Sequence, residues 1–504
     1  MSTPPAPHPA SQILSLDAVR AKANHVLDPE TKGILGQFMT PSRVAEFMAG
    51  LFTRWDLPEV RLLDAGAGVG SLTAAFLETW ITRGKRRDRA KVTAYELDPI
   101  MGGFLKETLA HYRDSAQVRG RFLTTEIISR DFVAQAAQQI QLQFGTRYTH
   151  AILNPPYRKI GAASSTRREL REIGIETVNL YTAFLAVAIA LMEPGGELVA
   201  IVPRSFCNGA YYRPFRAWMR RHGALAHLHL FERRDRAFKD DGVLQENIIV
   251  RWVRDAKQDD VRVSWSSNGT FADLQLRQHP HESIVKPGDP EGFIHIPLHA
   301  QEDSRPASPL FTCTLDDLGV TVSTGPVVDF RLKEHIRQVP EAGTVPLLYP
   351  QHFAGGGLRY PGTGKKPSAI VMNDETRRWL LPNGWYVITK RFTSKEERRR
   401  VVAHVINPDV LPSSWLGLEN HINVFHQGKQ GIDPDLAHGL SLFLNSTRVD
   451  DCFRVFSGHT QVNATDLRTL RYPPHAFLLR LGRWARAQPS LSQAEIDGHM
   501  EKHT

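Results

Sequence analysis

A short apolar strand that runs directly into alternating glycines is the feature that most restricts the fold of this chain. The predicted strand Arg61-Leu62-Leu63 is followed by Asp64-Ala65-Gly66-Ala67-Gly68-Val69-Gly70 and then by a predicted helix from Ser71 to Trp80. Glycine has no Cβ, so the backbone of such a turn can approach a ligand closely. This order of elements predicts a nucleotide-binding turn in a doubly wound α/β sheet. A tight strand–helix turn without a ligand is the alternative.

Acidic residues follow the next two predicted strands. Glu96 comes directly after Lys91 to Tyr95, and Asp131 follows a strand near Glu126 to Ser129. An acid at the tip of the second strand is placed to accept hydrogen bonds from ribose hydroxyls. These positions favour a ligand-binding turn.

A rigid set of hydrogen-bond acceptors follows a fourth strand, Ala151 to Leu153, in the loop Asn154-Pro155-Pro156-Tyr157. The amide oxygen of Asn154 is one acceptor, and the carbonyl of Pro155 is a second, held still because proline fixes φ. The Tyr157 ring offers a flat face for stacking. The array suits the exocyclic amino group of a heterocycle. A proline-rich turn after a core strand is the alternative reading.

The remaining elements predict the fold class. Thr40 as cap and Pro41 in the first turn predict a helix over Ser42 to Phe52. Strands and helices alternate up to about residue 255, which predicts an α/β sheet with helices on both faces. The buried helix Leu180 to Met192 is too short to span a bilayer.

Two domains are expected from 504 residues. Residues 1–15 are predicted to be a disordered leader, residues 16–264 a first domain and residues 265–504 a second, mixed α+β domain. Prolines cluster among polar residues between Pro280 and Pro309 and indicate an irregular connection.

The composition permits a polyanionic partner, since 62 Lys and Arg residues outnumber 53 Asp and Glu residues. The chain has three cysteines, and their spacing gives neither a disulfide framework nor a zinc site. We therefore expect no metal, a reducing compartment and a cytoplasmic location.

In this order, the motifs resemble the S-adenosylmethionine-dependent adenine-N6 DNA methyltransferases, in the gamma arrangement found in restriction–modification systems. The resemblance implies a Rossmann-like class I methyltransferase sheet, mostly parallel with one antiparallel strand, and a following target-recognition domain. It assigns cofactor contacts to Thr40 in the segment Gly36 to Pro41, Asp64, Gly66, Gly68, Glu96, Asp131 and Asn154. It assigns catalysis to the loop Asn154, Pro155, Pro156 and Tyr157.

The resemblance also implies contacts with DNA. Tyr157 and, more loosely matched, Phe238 would stack against a flipped adenine, and Arg158 and Lys159 could bind phosphate. For such basic residues a solvated surface is the alternative. In the second half, three segments are similar to type II modification methylases: Val322 to Pro326, Lys390 to Arg400, and Ser457 to Asn463 with Asp466 to Arg468. The candidate DNA contacts there are Lys390, Arg391, His459, Gln461 and Asn463.

The predicted partners are duplex DNA and a cognate restriction endonuclease, and we expect a monomer that does not act on a membrane. Two other functions stay open: methyl transfer to RNA or to a protein glutamine, and a non-catalytic DNA-binding specificity module. No convincing nuclease motif is present, so we expect modification only.

Overall fold

The computed structural model describes residues 17, 20–23, 39–83, 88–231, 247–297, 311–362, 365–393, 397–456, 461–488 and 491–501. The predicted leader, residues 1–15, lies outside them. The chain forms two compact units, Met1–Ala300 and Gln301–Thr504. No helix among the described residues is long and apolar enough to cross a bilayer.

A nine-stranded sheet forms the centre of the first unit, with the strand order β3-β2-β1-β4-β5-β7-β6-β8-β9. The strands are β1 (Glu59–Ala65), β2 (Arg89–Tyr95), β3 (Phe122–Ile128), β4 (Tyr148–Leu153), β5 (Met192–Pro203), β6 (Gly223–Phe231), β7 (Asn247–Arg254), β8 (Val261–Ser266) and β9 (Gln275–His279). β1 to β5 are parallel, and β7 runs antiparallel to both β5 and β6. The mostly parallel sheet is confirmed, and β9 adds a second antiparallel strand to the one predicted.

Helices cover both faces of this sheet. Successive residues of a strand point to opposite faces, so an apolar strand has side chains to bury on each face. In β1, Leu62 packs with the apolar cluster on one face and Leu63 with the cluster on the other. The helices are α1 (Ser42–Gly50), α2 (Ser71–Arg83), α3 (Pro99–Val118), α4 (Phe132–Gln141), α5 (Ser165–Glu172), α6 (Leu180–Ala190), α7 (Arg213–His222) and α8 (His281–Ile284). α6 is apolar all round, as a fully buried helix requires.

The predicted boundary after residue 264 is wrong, since the first unit extends to Ala300. The cut would fall inside β8, which pairs in parallel with β6 from His227↔Arg262 to Phe231↔Ser266. β9 then pairs with β8. Residues 261–279 therefore complete the first sheet and belong to the first unit.

The second unit contains two small sheets followed by helices, which agrees with the mixed α+β prediction. The strand orders are β10-β18-β15-β16 and β11-β13-β12-β17-β14. The strands are β10 (Thr321–Thr324), β11 (Ile336–Arg337), β12 (Thr344–Leu348), β13 (Ala369–Val371), β14 (Leu380–Pro382), β15 (Tyr386–Lys390), β16 (Ala403–Ile406), β17 (Trp415–Leu418) and β18 (Ile422–His426). The helices are α9 (Pro434–Leu444), α10 (Thr447–Phe456), α11 (Ala464–Thr469), α12 (His475–Arg486) and α13 (Gln493–Glu501).

Two glycines allow α9 and α12 to pack with their backbones in close contact. A Cβ on Gly439 would lie 1.9 Å from the carbonyl oxygen of Leu478, and a Cβ on Gly482 would lie 1.7 Å from that of Asp435. Real side chains do not approach backbone this closely, so the crossing requires glycine at both positions.

Candidate active site

A cavity of about 1140 Å³, which includes open solvent, lies at the carboxyl ends of β1, β2 and β4 in the first unit. Clefts outside the carboxyl ends of parallel strands are where α/β sheets bind ligands. The predicted site residues that line the cavity are Thr40, Gly66, Gly68, Glu96, Asp131, Asn154 and Pro156. The structure thus brings together residues that are far apart in the sequence.

The glycine turn after β1 forms one wall. Gly66 (φ +77°) and Gly68 (φ +57°) have left-handed backbone conformations that favour glycine. The N–H groups of Gly66 and Ala67 both donate to the carbonyl of Tyr95 (2.9 Å each), which fixes the turn against β2. A Cβ on Gly68 would meet no protein atom within 4 Å, so the space beside it is open to a ligand.

Glu96 holds the glycine turn as well as lining the cavity. Its Oε2 accepts from the N–H of Gly68 (2.7 Å) and its Oε1 from the N–H of Asp98 (2.8 Å). Burial raises the pKa of this carboxyl, and the two backbone N–H groups oppose the rise. Each carboxylate oxygen keeps acceptor capacity for a ligand hydroxyl.

Asp64 does not line the cavity, in contrast to the direct cofactor contact that the resemblance implies. The side chain is fully buried at the end of β1, and its Oδ2 accepts from the Thr73 hydroxyl of α2 (2.6 Å). Burial raises the pKa of Asp64 to about 7. Asp64 therefore joins β1 to α2 behind the glycine turn.

Asn154 is held by residues on both sides of its amide. Its Nδ2 donates to the Thr40 hydroxyl (3.1 Å), and its Oδ1 accepts from the Tyr157 hydroxyl (3.3 Å). The prediction that Thr40 caps helix α1 is wrong: Pro41 is the N-cap residue, without a side-chain cap. Thr40 instead links the N-terminal segment to the Asn154 loop. Asn154 is half-buried and lines the cavity, and an amide oxygen has two lone pairs, so it can accept a second hydrogen bond.

The Tyr157 side chain is held at both its hydroxyl and its ring. Its hydroxyl is 3.3 Å from the carbonyl oxygen of Ile201, and its ring meets that of Tyr181 edge-on at 6.1 Å. Burial raises the pKa of Tyr157, so the hydroxyl stays protonated at neutral pH. Pro155 is buried and, like Tyr157, does not line the cavity.

The other end of the cavity contains Asp131 and residues that sequence reasoning missed. Asp131 caps α4 through Oδ1, which accepts from the N–H of Ala134 (2.9 Å). The missed residues are Phe132 and Phe184, which also line the wall. Phe132 could have been found as the apolar residue next to an acidic strand tip.

Arg158 is exposed and lines the cavity, and its contact with DNA phosphate stays a prediction. The segment folds back on the chain before α6, with the N–H of Leu180 donating to the carbonyl of Arg158 (2.7 Å). Lys159 is exposed and forms a backbone bridge with Asn179. Phe238 lies outside the described residues.

Four of the five predicted DNA contacts of the second half meet in the second unit. The N–H of Val462 donates to the carbonyl of Arg391 (2.7 Å), next to an isolated bridge between Phe392 and Gln461. Lys390 ends β15 beside them. Asn463 forms the capping box of α11 with Asp466, which ties its side chain to the helix. His459 lies outside the described residues.

The described residues contain no group of three or more His, Cys, Asp or Glu side chains that could hold a metal ion. The cavity instead presents an open glycine turn, a buried carboxylate and aromatic walls. This set of groups fits a nucleoside with a polar tail.

Comparison with known proteins identifies the family. A model of the Eco57I restriction-modification methylase family matches residues 113–238. The chain is 46% identical over 500 residues to the type II methyltransferase M.BsuBI of Bacillus subtilis, across 98% of both chains. It is 43% identical over 474 residues to M.PstI of Providencia stuartii, across 92% of both. The chain belongs to the type II methyltransferases.

Membership in this family confirms the predicted relation to restriction–modification methyltransferases. It also confirms the methyltransferase fold and S-adenosylmethionine as cofactor. The solved structure of a DrdV–DNA complex shares the fold, with a TM-score of 0.54 and 13% identity over 94% of this chain and 59% of that chain. Glu96, Asp131 and the glycine turn, which the resemblance assigns to the ribose, the adenine and the methionine end of this cofactor, all line the cavity.

Proposed function

We propose that this type II methyltransferase transfers a methyl group to N6 of an adenine that is flipped out of duplex DNA at a specific site. The observation that carries the proposal is the position of Asn154. Its amide lies on the cofactor cavity, between Thr40 and Tyr157. Both neighbours restrict rotation of the amide.

The N6 amine is a weak nucleophile because its lone pair is conjugated with the ring. Asn154 Oδ1 and the Pro155 carbonyl would accept its two N–H bonds, which favours a pyramidal nitrogen with its lone pair directed at the methyl carbon. When bound, S-adenosylmethionine supplies an electrophilic methyl group on a sulfonium. Positive charge grows on nitrogen during transfer, so both acceptors bind the transition state more strongly than the ground state.

An adenine within a duplex cannot reach this loop, and base flipping is required. The Tyr157 ring would then replace part of the lost stacking, at about 1–3 kcal/mol per aromatic–base contact. The edge-on packing of Tyr157 with Tyr181 supports this role, because it restricts the orientation of the ring. Phe238 is the proposed second stacking residue.

The second unit is the proposed target-recognition domain, with Lys390, Arg391 and Gln461 near the DNA. One chain then contains both catalysis and recognition, so we propose a monomer that acts beside a cognate restriction endonuclease. The extent of the match with M.BsuBI, which covers both units, supports this arrangement.

Asn154→Ala tests the catalytic assignment. We expect kcat to fall roughly 100- to 1000-fold, as when one transition-state hydrogen bond is removed, while S-adenosylmethionine binding by calorimetry is retained. Asn268→Ala, in the loop after β8, is the matched control and should keep full activity. Unchanged turnover of Asn154→Ala would refute the role.

The reaction product separates the remaining alternatives. Mass spectrometry of nucleosides from methylated duplex DNA should show N6-methyladenine. N4-methylcytosine would contradict the adenine assignment but would still fit methyl transfer to the exocyclic amine of a base. Faster methylation of RNA or of a protein glutamine would overturn the DNA substrate, and cofactor binding without any transfer would favour a non-catalytic specificity module.

A further inference from the structure

Three segments that are far apart in the sequence meet at one end of the four-stranded sheet in the second unit. The N–H of Arg391 donates to the carbonyl of His421 (2.9 Å), and Phe392 forms a bridge with Gln461. We call Lys390, Arg391, Phe392, His421 and Gln461 the β15-end surface. Backbone hydrogen bonds hold the segments in register, so the backbone positions that carry these side chains are fixed.

His421 on this surface is oriented by a buried carboxylate. Its ring Nδ1 is bonded to Glu419 Oε1, and its backbone N–H donates to Glu419 Oε2 (2.9 Å). Glu419 is completely buried, whereas the His421 side chain is 46% exposed. With Nδ1 bonded to the carboxylate, Nε2 is the ring nitrogen left for a ligand.

The burial of Glu419 needs a reason beyond stability. A fully buried carboxylate carries a desolvation cost, which its hydrogen bonds to His421 offset. A histidine that served only as a surface residue would need no buried partner. The pair therefore fits a site where the direction of one imidazole nitrogen matters.

Phe392 provides an aromatic face next to this histidine. The side chain is 47% exposed, and its ring packs on that of His421 with a centroid distance of 5.0 Å. Exposed aromatic rings that are braced from one side stack on bases or wedge between base steps. Arg391 and Lys390, which precede Phe392 in the chain, supply positive charge for phosphates, and Arg391 is fixed by a bond from its guanidinium to the carbonyl of Asn420 (3.1 Å).

We propose that the β15-end surface reads the DNA recognition sequence, with His421 Nε2 hydrogen-bonded to a base edge and Phe392 packed against a base. Glu419 acts as the positioning residue for His421. The inference rests on the proposed DNA methyltransferase function and adds residues that determine its specificity. Duplex DNA is the occupant that matches an oriented imidazole, an aromatic face and two cations on one surface.

The experiment starts by sequencing methylated bases in DNA from cells that express the wild-type chain, which tests the proposed function and gives the recognition site. Wild type and His421→Ala are then compared by kcat/KM on the recognition duplex and on duplexes with one base pair changed. We expect His421→Ala to lower kcat/KM on the recognition duplex roughly 5- to 150-fold and to relax discrimination at one position. Binding of S-adenosylmethionine should not change.

Matched variants separate recognition from folding. Phe392→Ala should weaken duplex binding, while Phe330→Ala, another exposed phenylalanine of the same unit, should not. His475→Ala, an exposed histidine at the start of α12, should behave as wild type. Glu419→Gln should lose discrimination partly, and Glu419→Ala more fully, with thermal unfolding recorded for both.

Different results would contradict the proposed methyltransferase function and the proposed role of the β15-end surface. Wild-type methylation together with unchanged discrimination in His421→Ala and Phe392→Ala would overturn the β15-end surface alone. Equal losses in Phe330→Ala and Phe392→Ala would also overturn it. If the wild type does not methylate DNA but binds duplex in a manner that His421→Ala weakens, the proposed function fails and the surface is supported.

Discussion

The carboxylate of Glu96 and the backbone N–H of Gly68 form a 2.7 Å hydrogen bond that ties the end of β2 to the glycine turn after β1. The second carboxylate oxygen receives the N–H of Asp98 (2.8 Å). The acid that sequence reasoning assigned to the ribose therefore also shapes the turn that faces the cofactor. Its loss should affect the cavity wall as well as a single ligand contact.

Glu96→Gln should weaken S-adenosylmethionine binding roughly 10- to 100-fold, because the amide NH₂ cannot accept a backbone N–H and a charge-assisted hydrogen bond contributes about 1.5–3 kcal/mol. Titration calorimetry measures the effect. Glu126→Gln, on β3 where Glu126 pairs with Lys91, is the control and should bind the cofactor normally. Normal binding by Glu96→Gln would contradict the assignment.

Thr40→Val should reduce kcat about fivefold. The variant removes the acceptor for Asn154 Nδ2, and one neutral hydrogen bond contributes about 1 kcal/mol. Thr40→Ser keeps the hydroxyl and should retain most of the activity. Single-turnover methylation at saturating cofactor separates this effect from weaker binding, and equal rates for Val and Ser would show that the amide needs no such support.

Tyr157→Ala should weaken base flipping by about 1–3 kcal/mol of stacking free energy. The measurement is the fluorescence of 2-aminopurine placed at the target base, which should rise less on enzyme binding than with the wild type. Tyr157→Phe keeps the ring but removes the hydroxyl near Asn154, so it should flip the base and lose part of kcat. An unchanged signal in Tyr157→Ala would mean that the ring has a structural role only.

Acid should destabilise the first unit through two buried histidines. His227 Nε2 and His229 Nδ1 both contact the Ser264 hydroxyl at 2.8 Å, and burial lowers the pKa of His227 to about 3 from 6.5. Below pH 6.5 the unfolded chain therefore binds a proton that the folded chain does not, so stability is lost as the pH falls towards 3.

The loss should be about 1 kcal/mol per pH unit for His227. His227→Gln removes this titration and should flatten the dependence of urea unfolding on pH between 6.5 and 4.5, compared with His475→Gln at the exposed surface. A wild-type slope that His227→Gln does not reduce would exclude this histidine as the source.

Gly439→Ala should destabilise the second unit by roughly 1–3 kcal/mol or more, because the new methyl group would overlap the backbone of α12. Gly498→Ala is a matched control in α13, where a Cβ meets nothing within 4 Å. That change should stabilise the helix by about 0.5–1 kcal/mol. Urea unfolding measures both, and equal effects would contradict the close helix crossing.

Local patterns in the sequence were sufficient to predict the core of the site. The strand–glycine–helix turn at Gly66, the acids Glu96 and Asp131, and the Asn154 loop each follow a strand directly, and parallel strands bring such ends to one edge. The position of Asp64 in the motif does not reveal that its side chain turns inward to Thr73, and its direct cofactor contact stays a prediction.

Features that depend on distant partners were not predictable. Thr40 was expected to cap a helix, but its hydroxyl meets Asn154, more than a hundred residues later. The sequence did not predict that Arg158 lines the cavity, where the N–H of Leu180 donates to its carbonyl. The domain boundary failed for the same reason, since β8 pairs with β6 across a long connection.

The added strands β8 and β9 change how this sheet ends. Without them β6, whose residues from Leu228 to Phe231 are buried, would present unpaired main-chain groups to neighbouring molecules. β9 ends the sheet instead with a short strand in which Gln275 to Gln278 are exposed. A catalytic fragment cut at residue 264 should therefore aggregate on expression. A fragment that ends at residue 300 keeps β8 and the polar edge strand β9 and should stay dispersed.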